Sequence, residues 1–173
     1  MKKLVLIAFI AFAGTLILSC KKVTNPTPGP PVIAFKDLNI SSPEPKPIAY
    51  FHFTFSDPDG DIGLKNSDTT GAFAYGSQYY YDFHMKIFKY DTTNKVWVPG
   101  TIYYNGDTAG LWYYRIPYID NQSKDKSLTG EVYVQMTGFR PVSTIKKFRY
   151  EFYIYDRAHN KSNVVTTPEF NYP

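Results

Sequence analysis

Cysteine is nearly absent from this chain: Cys20 is the single one. No internal disulfide can therefore form, and once Cys20 is spoken for no Cys/His pair remains for nucleophilic catalysis. Histidine is scarce as well, with only His52, His84 and His159. The first two are expected on outward faces of strands in different sheets, so no zinc set is expected. Strong charge of one sign is missing too: 19 basic residues stand against 15 acidic ones. Lys2 and Lys3 fall in a segment expected to be removed, which brings the balance closer still to neutral. Nucleic acid requires a concentrated basic face, and the sequence offers no electrostatic basis for one. Nor is there a window of helical period longer than a turn or two. The serines lack a strand–turn–helix elbow, and no pair of acids is marked out by its surroundings. A hydrolase is thus the least favoured class, and the chain is expected not to be an enzyme.

Aromatic residues, by contrast, are plentiful, with 16 Tyr and 13 Phe among 173 residues. That composition favours strands over helices, and the length fits one domain of about 100–200 residues. Met1-Lys2-Lys3 forms a short positive start, and the almost wholly apolar run from Leu4 to Leu18 is shorter than the roughly 20 residues that span a bilayer as a helix. It reads as the core of a secretory signal over residues 1–19. Ile17-Leu18-Ser19-Cys20 resembles the lipobox of bacterial lipoproteins, with an aliphatic residue three before the cysteine and a small one directly before it. The resemblance implies that Cys20 is acylated, palmitate included, and becomes the mature N-terminus on the cell envelope. Lys21 in the next position, rather than Asp, resembles the pattern sent to the outer membrane. Residues 20–31, with Pro26, Pro28, Pro30 and Pro31, have little to bury and read as an extended tether.

From residue 32 to 173 the pattern alternates strand and turn. Expected strands run over Val32–Leu38, Ile48–Ser56, Tyr79–Tyr90, Val96–Tyr104, Leu111–Ile119, Glu131–Thr137, Lys146–Tyr155 and Val164–Phe170. Within the second, Phe51, Phe53 and Phe55 oppose His52, Thr54 and Ser56, the period of a half-buried strand. Asn105-Gly106-Asp107 is a hairpin signal. About seven to eight strands at this spacing predict an all-β, antiparallel two-sheet sandwich, with a barrel as the alternative.

The second strand runs into Asp57-Pro58-Asp59-Gly60-Asp61, which sets carboxylates at alternate positions around two residues that shape the backbone. An EF-hand is excluded: Ile62 stands where the loop needs glycine, and no helices flank it. The acidic turn, together with Tyr155-Asp156-Arg157-Ala158-His159-Asn160 late in the chain, resembles immunoglobulin-like, cadherin-like and PKD-like modules of bacterial surface proteins. In those modules the late turn carries glycine where His159 stands here. The resemblance implies that both loops lie at one pole of the sandwich, so that Asp57, Asp59, Asp61, Asp156 and Asn160 converge on a calcium ion. The same residues also read as ordinary β-turns.

Aromatic side chains of both parities crowd the middle strands. One parity must fill the core, and the other is expected on an outer face carrying Trp97, Tyr104, Trp112 and Tyr114. That row reads as cross-strand packing or, alternatively, as a platform for a glycan or protein. The expected function is a lipid-anchored envelope module engaging a protein or glycan. The alternative is an accessory subunit of an outer-membrane uptake or secretion complex.

Overall fold

The computed structural model describes residues 28–41, 48–104, 107–122, 126–137, 140–141 and 145–171. The signal segment, Cys20 and most of the tether lie outside these residues, as do Asn105 and Gly106 of the expected hairpin turn. Pro31, expected as the last tether residue, is already buried against the domain. Among the described residues no helix is long and apolar enough to cross a membrane.

The protein is all-β. β1 (Val32–Ser41), β2 (Ile48–Asp57) and β8 (Leu128–Thr137) form one antiparallel sheet with β2 in the middle. The second sheet is built on β3 (Phe83–Asp91) and β10 (Lys147–Ile154), which pair along their length. β4 (Val96–Pro99) and β7 (Leu111–Tyr114) divide the outer edge of β3 between them, while β11 (Val165–Thr166) and β12 (Phe170–Asn171) divide that of β10. A small third sheet joins β5 (Ile102–Tyr104) to β6 (Asp107–Ala109) and β9 (Arg140–Pro141). The two main sheets stay separate rather than closing into a barrel, so the architecture is a sandwich.

Hydrophobic alternation explains the packing. Phe51, Phe53 and Phe55 all point inward from β2, and Phe148, Tyr150, Phe152 and Ile154 answer from β10. The Phe51 ring meets Phe152 edge-on at 4.9 Å and Tyr150 at 5.8 Å, while Phe53 stacks on Phe83 at 5.3 Å. Such pairings add roughly 0.5–1.5 kcal/mol each to the burial of the rings themselves.

Two expected strands differ from the structure. The continuous strand Val96–Tyr104 is broken, because the chain leaves the sheet at Gly100. Gly100 N–H donates to the Ile87 carbonyl, and Ile87 N–H donates to the Gly110 carbonyl, so the excursion through β5 and β6 returns to the same rung. The strand expected to begin at Tyr79 begins at Phe83, since residues 71–80 run through a 3-10 turn at Gly71–Phe73 and further turns.

Candidate metal centre

β2 ends on Asp57, which is fully buried, and the chain then turns through Pro58 to Asp61. Gly60 makes this turn feasible: its φ is +66°, and a Cβ there would lie 1.8 Å from the Lys126 carbonyl oxygen. The turn is fastened from both sides. Asp57 Oδ2 accepts a 2.9 Å hydrogen bond from Ile62 N–H, and Ile62 pairs as a β-bridge with Asp156. Arg157 N–H donates to the Asp61 carbonyl at 3.3 Å. The early and late loops are therefore stitched to each other by backbone at one pole.

That stitching brings four carboxylates together. Asp57, Asp59, Asp61 and Asp156 each place a carboxylate oxygen within 4.8 Å of the others. Oxygens bound about 2.3–2.6 Å from one calcium ion lie no more than about twice that distance apart, so all four can reach one ion. The oxygens are also poorly served by the protein. Asp57 Oδ1, Asp59 Oδ1 and Asp61 Oδ1 are buried with no hydrogen-bond partner among the described residues. Arg157, the nearest cation in sequence, turns away to pair with Asp68. Burial, together with the neighbouring Asp59 and Asp61 carboxyls, pushes the Asp57 carboxyl up to about 7. Burial and the charges of Asp156 and Asp59 push Asp61 up to about 6, and burial raises Asp156 as well. Among the described residues none of the four carboxyls is paired with a cation, and an all-oxygen donor set suits a hard cation rather than zinc.

Asn160 reaches the site through Asp156. Its backbone N–H donates to Asp156 Oδ1 at 2.7 Å and its side-chain Nδ2 to Oδ2 at 2.8 Å. It therefore orients Asp156. His159 takes the left-handed backbone, φ +69°, that glycine would take, and offsets the cost by stacking on Tyr79 at 4.0 Å.

The expected aromatic platform is placed differently. Trp112, only 4% exposed, turns into the core beneath Tyr150, and Tyr114 packs against the same core beside Phe83. Trp97 is half-buried under the Arg149 guanidinium, 4.5 Å from its ring centre. Tyr104 lies on β5, whose side chains are outside the described residues. Their neighbour Tyr113, of opposite parity to Trp112 and Tyr114, is the ring that faces out of β7. Asp82, just before β3, is buried although its parity is that of the outward His84. Its Oδ1 accepts the Ile116 N–H at 2.7 Å, which anchors the end of β7. No sequence signal marks this beyond an acid next to an aromatic strand.

Comparison with known proteins gives no match to this chain among family models, curated proteins or solved structures.

Proposed function

We propose that this protein is a lipid-anchored module of the cell envelope whose sandwich is braced at one pole by a calcium ion. Asp57, Asp59, Asp61 and Asp156 hold the ion, Asn160 orients Asp156, and acylated Cys20 holds the domain to the membrane, with the outer membrane favoured by Lys21. The observation that carries the metal part is the meeting of four carboxylates, three with a buried oxygen that no described residue satisfies. The signal-like run and the lipobox-like Ile17-Leu18-Ser19-Cys20 support the anchor. Nothing in the chain's chemistry favours turnover of a substrate, and the module acts by binding a partner.

The ion supports structure rather than reaction. Exported calcium modules bind at about 10⁻⁴–10⁻³ M, so 10 mM calcium stabilises such a fold by about 1.4–2.7 kcal/mol. Thermal melts of the full chain in detergent should therefore shift upward by several degrees between EDTA and 10 mM calcium. Superimposable melts in the two conditions rule out the ion. Intact mass spectrometry of protein from its native membrane tests the anchor, with a mature chain beginning at diacylated Cys20 as the expected result. A free thiol at Cys20 contradicts it.

A further inference from the structure

The outer face of the six-stranded sheet carries a groove that neither the cation nor the anchor uses. Register builds it. His84 on β3 lies opposite Tyr153 on β10 and opposite Tyr113 on β7, so three neighbouring strands set Tyr153, His84 and Tyr113 in one row. Lys86, between Glu151 and Leu111, makes the next row. The His84 ring stacks on Tyr153 at 4.9 Å, and Tyr113 stands at 84° to it at 5.0 Å. Tyr155 supplies a second perpendicular wall at 5.4 Å. Two hollows of about 280 and 560 Å³ adjoin across this row and share His84, Tyr113 and Tyr153. The larger is within the range of about 300–1,000 Å³ of ligand sites.

The lining selects the ligand. The His84 Nε2–H donates to the Tyr81 carbonyl at 2.8 Å, and burial lowers the His84 pKa, so a neutral ring keeps Nδ1 as an acceptor. Glu151 and the Tyr113 hydroxyl add an acceptor and a donor along the same walls, while Gln78 Nε2 donates to the Tyr155 hydroxyl at 2.9 Å. An acyl chain or apolar peptide covers His84 Nδ1, Glu151 and the Tyr113 hydroxyl without pairing them, at about 1–3 kcal/mol each. A quaternary ammonium is excluded from the face of Tyr153, where Lys161 Nζ already sits 3.7 Å from the ring centre. A polyanion meets Glu151 beside Lys86. A saccharide satisfies both demands, laying its C–H face on a ring while its equatorial hydroxyls exchange hydrogen bonds with the rim.

We infer that the groove over Tyr113, His84 and Tyr153 binds an oligosaccharide. This names the chemistry of the partner in the envelope-module reading on which it rests, without drawing on the cation or on Cys20. The test is retention of the full chain, in detergent, on an array of defined oligosaccharides, run both in calcium and in EDTA. The wild type should be retained by a subset of glycans, and Tyr113→Ala should lower apparent affinity at least 10-fold while Tyr113→Phe keeps most of it. Tyr133→Ala, an exposed ring on the opposite sheet, should change nothing. Tyr113 is 42% exposed, so its removal leaves the fold intact, as an unchanged melt verifies. Failure of the wild type to bind any glycan in either buffer overturns the inference, as does equal retention of Tyr113→Ala. Melts and mass spectra decide the ion and the anchor separately, so either can fail without the other result being lost.

Discussion

Asp59 sits at the centre of the charge problem at the pole, since its carboxyl raises those of both Asp57 and Asp61. Asp59→Asn should therefore act with opposite sign in two buffers. In EDTA it removes repulsion and raises the melting temperature. In 10 mM calcium it removes a ligand and shrinks the calcium-induced shift by at least half. A purely structural turn residue would move both melts in the same direction. Gly60→Ala is expected to cost at least about 1–2 kcal/mol from the left-handed backbone alone, with more from the Lys126 carbonyl in its way. Asp82 gives a separate pH signature. Burial lifts its carboxyl to about 7 from 3.8, and its Oδ2 is buried with no partner among the described residues. The folded state then binds more protons than the unfolded one, so the stability contributed by protonated Asp82 is full below about pH 4 and is lost as pH rises through about 7. Melting temperature measured in saturating calcium, which silences the pole, should fall from pH 5 to pH 8. Asp82→Asn should flatten that slope.

Strand alternation was the most legible feature of the sequence wherever it was strict. β2 carries Phe51, Phe53 and Phe55, and β10 carries Phe148, Tyr150 and Phe152, on one parity with mostly polar residues on the other, and both strands bury that ring parity. Phe51→Ala, which removes a ring touching Phe152, Tyr150 and Phe83, should cost about 3–5 kcal/mol in a denaturant titration without changing the strand content seen by circular dichroism. Where rings occupy both parities, as in Leu111-Trp112-Tyr113-Tyr114, pattern alone could not choose a face. Pairing chose it: Trp112 stands opposite the inward Met85, while Tyr113 stands opposite the outward His84. The break at Gly100 was equally hidden, because a strand leaving its sheet for two short rungs elsewhere looks continuous in hydrophobicity. The buried Asp82 stayed illegible for another reason. Its partner, Ile116 N–H, is a main-chain group far along the chain and carries no side-chain signature.

Across the whole molecule, the sandwich does what neither loop can do alone. It carries Asp57 from the end of β2 and Asp156 from just beyond β10 to one pole, where a β-bridge from Ile62 to Asp156 joins them. That convergence follows from strand order and so was open to sequence reasoning. The part Asn160 plays in holding both carboxylate oxygens of Asp156 was not. The groove lies on the outer face of the sheet whose β10 leads into the pole, and Tyr155, a wall of the groove, directly precedes Asp156. A cation bound at the Asp156 loop would thus also steady one side of the groove. Isothermal titration of calcium into the full chain at neutral pH tests the central claim most directly. The account predicts one site per chain with a dissociation constant of about 10⁻⁴–10⁻³ M, abolished by the pair Asp57→Asn and Asp59→Asn. Absence of any saturable heat up to 10 mM calcium, or the same isotherm from the doubly substituted chain, would contradict it.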